Sequence, residues 1–137
     1  MKNIVAQDGL RARDSGPWGQ TKLAFLDHFC PSAIQATAAK HHRFYIDLFA
    51  GPGVNVIRDS GGTEYQGSPL RVLEYAGRQR QDLSFTDAVF INQRRSDHEA
   101  LKTRVDRACA SGHSLIPLSR IDIRNENAND ALPHVLA

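Results

Sequence analysis

The stretch Phe44-Tyr45-Ile46-Asp47-Leu48-Phe49-Ala50-Gly51-Pro52-Gly53 constrains the chain more than any other. A nearly continuous apolar run predicts a strand covered on both faces, as in a parallel sheet. Asp47 is its one charge, and a carboxylate there requires a partner. Its place near the strand's C-terminal end matters because ligands of open α/β sheets sit at that end. Gly51 and Gly53 follow at once. Without Cβ atoms they permit positive φ and close approach of a ligand. The pattern predicts a nucleotide-cofactor loop, with a buried strand and an ordinary glycine turn as the plainer alternative.

Two cofactor classes use such loops. The dinucleotide fingerprint needs a third glycine and a helix directly after it, with an acid about 20 residues on. Val56 occupies the third glycine position, a polar stretch follows, and the residue at the acid's distance is Arg71. The dinucleotide reading fails on both counts.

Around this stretch the chain reads as alternating helices and strands. Residues 1–17, with Gly9, Gly16 and Pro17, are expected to form a flexible arm. Trp18, Leu23, Leu26, Phe29 and Cys30 approximate one helical face, which Pro31 should kink or end. Ser32 to Lys40 should form a second helical piece. His41 and His42 point to different sides of any regular element, so they read as solvated residues. Val54 to Gly67 is expected to be a long polar loop, a candidate lid. Ser68 and Pro69 fit the N-cap and first position of a helix that ends near Gly77.

Ala88 to Ile91 predicts the next strand, ending at Asn92. Ser96 and Glu99 have the spacing of a capping box opening a helix that Gly112 ends. Ile121 to Arg124 is the third strand, and a further helix starts near Ala131. The order predicts an α/β fold: a Rossmann-like, doubly wound parallel sheet, N-terminal part only, with about three strands preceded by a helical segment. Residues 18–137 form that portion.

Trp18-x-x-x-Lys22-Leu23-x-x-Leu26-x-x-Phe29, then Tyr45 to Gly53, then Gly67-Ser68-Pro69-Leu70, resembles the three-Cys-motif partner family (TcmP). Asp47-x-Phe49-x-Gly51-x-Gly53 is similar to motif I of class I S-adenosylmethionine (SAM)-dependent methyltransferases. The resemblance runs from about Trp18 to the C-terminus and implies a SAM-binding fold and a separate partner protein bearing three cysteines. It implies cofactor contacts at Asp47, Gly51 and Gly53. It also assigns Asn92 to the ribose position and Asn127 to the adenine position, where such enzymes usually carry acids. An amide keeps the hydrogen bonds but loses charge assistance, which roughly doubles a hydrogen bond's strength.

The sequence stops in the opening turns of a helix after its third strand, so no residue takes a catalytic label. A natural truncation or an incomplete gene model is the expectation. The functional reading is the cofactor-binding half of a methyltransferase-like protein; the alternative is a non-catalytic module that acts through a partner. Seventeen basic and fifteen acidic residues leave a net charge of +2, which permits a nucleic-acid partner without indicating one. Cys30 and Cys109 lack metal-ligand spacing and read as buried reduced thiols. With no secretory h-region and no stretch able to span a membrane, the expected compartment is the cytoplasm.

Overall fold

The structure, a computed structural model, describes residues 4–57 and 61–136. The fold is mixed α/β, built on two three-stranded sheets and four α-helices among the described residues. The larger sheet is parallel, in the order β2 (Phe44–Asp47), β5 (Asp87–Asn92), β6 (Ile121–Asn125). The smaller one joins β1 (Arg13–Asp14), β3 (Val54–Ile57) and β4 (Thr63–Gln66) in the order β1-β3-β4.

Strand β5 is central, and every one of its residues is buried. That explains its unbroken apolar run, since a strand covered on both faces has no solvent side to alternate with. Phe90 and Ala88 face a core shared with Cys30, Ile34, Leu73, Leu101 and Val105. Val89 and Ile91 face the opposite side, against Ala131 and Val135. Phe90 is fully buried, which contributes about 1.5–3 kcal/mol. Helices α1 (Trp18–Ala36), α2 (Ser68–Val72) and α3 (Arg95–Ala110) therefore cover one face, and α4 (Ala128–Val135) the other.

Several local expectations change. Helix α1 runs unbroken through Pro31. A proline inside a helix costs about 3 kcal/mol, and the burial of Cys30 and Ile34 on either side offsets it. The helix buries Leu23, Cys30 and Ile34, while Trp18 and Phe29 point to solvent. It ends at Ala36 rather than Lys40, where the Thr37 hydroxyl donates to the Ala33 carbonyl. His41 and His42 are exposed.

The stretch read as a long loop, Val54 to Gly67, instead forms the β3–β4 antiparallel pair, with Val56 opposite Glu64. Arg58, Asp59 and Ser60, also part of that reading, lie outside the described residues. The arm expected over residues 1–17 is packed from Ile4 onward. Val5 bridges Arg11, Ala6 and Ala12 are buried, and Arg13–Asp14 pairs with β3.

The capping box does not form. Helix α3 starts two residues earlier than the box would place it, at Arg95, with Arg94 as an extended N-cap and no side-chain cap. Glu99 pairs with Arg95 one turn away, and Asp97 pairs with Arg11 of the N-terminal segment. Helix α2 is shifted by one, with Gly67 at its N-cap, and it ends at Val72. Cys30 and Cys109 are both free; Cys30 is buried and Cys109 only half-buried. Burial, then the nearby Asp27 charge, push the Cys30 thiol up to about 11, so it stays protonated at neutral pH. Among the described residues, no helix is long and apolar enough to cross a membrane.

Candidate functional site

Strand β2 ends at Asp47, and the chain then turns sharply through Ala50 to Gly53. Gly51 has φ +78° and Gly53 has φ +97°. Both values lie where residues with a Cβ are strained. The turn is fixed from below: the Ala50 amide donates to the Ile91 carbonyl. It is also fixed from the side, because Gly67 donates to the Gly53 carbonyl at 2.8 Å and brings the start of α2 against the turn.

Asp47 finds its partners inside this frame. Its carboxylate accepts from the Ser68 hydroxyl at 2.6 Å and from the Phe49 amide at 3.1 Å. This explains why Ser68, displaced from the N-cap, makes no cap bond: its hydroxyl is committed to Asp47. Burial, followed by the Asp47 charge, raises the Tyr45 phenol above its ordinary range, so it remains a donor beside that carboxylate.

Asn92, at the end of β5, is buried and makes two bonds to a single residue. Its Oδ1 accepts from the Gly51 amide at 2.8 Å, and its Nδ2 donates to the Gly51 carbonyl at 2.9 Å. The side chain is a brace for the glycine turn. Asn127 caps α4, its Oδ1 accepting from the Asn129 amide at 2.8 Å. Asn125 links the two strand ends by donating to the Asn92 carbonyl at 2.9 Å.

A cavity of about 350 Å³ opens beside the turn, within the size range of about 300–1,000 Å³ usual for small-ligand sites. Ala50, Gly53 and Ser68 form one wall; Arg13, Trp18 and Lys22 form another, with Asn55 and Tyr65 between. Lys22 lies over the Trp18 ring at 4.6 Å. Of the five residues expected to touch a cofactor, Gly53 lines this cavity; Asp47 is joined to the lining residue Ser68, Gly51 lies between the lining residues Ala50 and Gly53, and Asn92 is bonded to Gly51 but does not line it. Asn127 lies on the far side of the sheet's C-terminal end. Arg13 is the residue that sequence reasoning missed: its guanidinium sits where a Cβ on Gly51 would meet it at 2.8 Å.

The rim carries cations at Arg13 and Lys22, an acid at Asp14, and an apolar Trp18 face. Chemically, that suits a zwitterionic ligand with an apolar body. A larger cavity, about 490 Å³, lies at the opposite, N-terminal ends of the parallel strands beside Asp87, Arg120 and His134. It has no glycine turn. Comparison with family models, with curated proteins and with solved structures found no match for the chain.

Proposed function

We propose that the chain is the SAM-binding part of a methyltransferase-like protein of the three-Cys-motif partner type, built on a Rossmann-like doubly wound sheet. The observation that carries this reading is the glycine turn at the C-terminal end of β2. Two positive-φ glycines, a carboxylate tied to the next helix start, and a cavity rimmed by Arg13 and Lys22 meet there. The cofactor's amino-acid end would lie against Ala50 and Gly53, with its carboxylate toward the two cations. A partner bearing three cysteines belongs to the same proposal, as does a cytoplasmic location.

The second reading, a non-catalytic module acting through a partner, draws on Asn92 and Asn127. Both side chains are engaged with backbone groups, Asn92 with the Gly51 amide and carbonyl and Asn127 with the Asn129 amide, and neither position carries an acid for ribose or adenine.

Calorimetric titration of SAM separates the two. On the first reading the wild type binds one equivalent. Asp47→Ala frees Ser68 and the Phe49 amide, loosens the turn and weakens binding by about 1.5–3 kcal/mol, roughly ten- to a hundredfold. Absence of heat from a folded wild type would leave the partner-binding module as the account.

A further inference from the structure

Arg104, on α3, is an arginine with only 4% of its side chain exposed. Its Nε and Nη2 bond both oxygens of Asp8, at 2.8 and 2.9 Å. Nη2 also donates to the Leu10 carbonyl at 3.1 Å. Nη1 donates to the Arg11 carbonyl at 2.6 Å and to the Pro52 carbonyl at 2.7 Å. An arginine has five N–H donors, and these contacts use all five. The group has nothing left to offer a ligand.

What it joins is informative. Pro52 stands between the two positive-φ glycines, and Arg11 lies two residues before Arg13, which sits over Gly51. Each lies just behind a wall of the cavity beside the turn: Pro52 precedes Gly53, and Arg11 precedes Arg13, both of which line it. One guanidinium nitrogen holds a carbonyl from each. Beyond this point the β1–β3 ladder joins Arg13 to Asn55 and Asp14 to Val56; Arg104, distant from both segments in the chain, ties them at the turn itself.

We propose that Arg104 is a positioning residue that sets the gap between the glycine turn and the segment carrying Arg13. The assignment of SAM to that gap rests on the reading above; the coupling of the two walls does not. Asp8 ties the guanidinium to the N-terminal segment by its bidentate pairing through Nε and Nη2, while Nη1 keeps its own bond to the Pro52 carbonyl. Lysine in its place keeps the charge and can reach Asp8, but it has no planar fork with which to hold both walls.

The test is amide hydrogen exchange on the full chain, with and without SAM, for wild type, Arg104→Lys and Asp8→Asn. Arg104→Lys is expected to speed exchange about tenfold at residues 10–15 and at Gly51 and Gly53, with β5 amides unchanged. Asp8→Asn should loosen residues 10–15 alone, because the Pro52 bond remains. SAM affinity should fall about tenfold in Arg104→Lys while β5 protection holds, a separation that loss of packing alone would not give. Unchanged exchange at both walls in both variants would overturn the proposal, as would loosened walls with wild-type SAM affinity. If Arg104→Lys raises exchange throughout β5, the Asp8→Asn pattern decides: selective loosening of 10–15 supports the coupling, and none refutes it. Faster wall exchange together with no SAM binding by the wild type would support the coupling and sink the SAM reading instead.

Discussion

Asn92→Leu is expected to destabilise the chain by about 2–6 kcal/mol, because it leaves two buried backbone groups of Gly51 unpaired at about 1–3 kcal/mol each. Leucine keeps asparagine's branching and heavy-atom count but cannot make either hydrogen bond, and its bulkier methyl groups add to the loss. The site offers no water route to replace them, since both Asn92 and Gly51 are buried. Urea unfolding of the two proteins measures the difference directly. Gln93→Leu, at the exposed neighbouring position, is the control and should change stability by less than about 0.5 kcal/mol. Equal stability of Asn92→Leu and wild type would show that Asn92 does not hold the turn.

Gly53→Val should have an effect of the same size for a different reason. The positive φ costs a residue with a Cβ roughly 1–2 kcal/mol. The new Cβ would then stand 3.2 Å from Leu101 Cδ1 and 3.4 Å from both Arg104 Cδ and Leu70 Cγ. Overpacking of that kind adds about 1–3 kcal/mol, giving about 2–5 kcal/mol in all. Gly112 separates the two causes. It has φ +77° but open space around its Cβ position, so Gly112→Val should show the strain of about 1–2 kcal/mol alone. If the two valine variants melt together, the packing around Gly53 is looser than its contacts imply.

Only some of the local pattern was legible: the Phe44–Phe49 run, read as a strand covered on both faces, is the edge strand β2, exposed at Phe44 and ending at Asp47. Asp87–Asn92 was readable because an apolar run bounded by turn residues specifies a buried strand, and Ile121–Asn125 because Ile121 and Ile123 alternate with charged residues as in a half-buried strand. The glycine turn was readable for a similar reason, its chemistry lying within ten consecutive residues. The N-terminal segment was not. Its order comes from Asp8 meeting Arg104 and Arg11 meeting Asp97, pairs separated by 96 and 86 residues that no local window contains. The β3–β4 pair was hidden because its strands are only four residues each and flanked by glycines. The Ser96–Glu99 box failed because Arg95 could extend the helix backward and pair with Glu99 itself. Asn92 was recognised as a site position, but its bond to Gly51 depends on strand register, β2 beside β5, which the sequence does not display.

The acid sensitivity of the N-terminal segment follows from the same long-range pairing. The hydrogen bond from Arg104 is the largest cause holding the Asp8 carboxyl below its usual range, against a burial penalty that raises it. A lowered folded value means the pairing contributes fully above the ordinary carboxylate value of about 3.9 and is lost as pH falls through the folded value. Exchange at residues 10–15 should therefore hold steady from neutral pH down to about 4, after correction for intrinsic rates, and rise only below it.

The proposed seat of a cofactor at the glycine turn is open to amide chemical-shift mapping during SAM titration of the full chain. Saturable shifts are expected, concentrated at Gly51, Gly53 and Ser68, with the Trp18 indole moving as the cavity fills. Shifts gathered instead around Asp87, Arg120 and His134, or none in a folded protein, would contradict it.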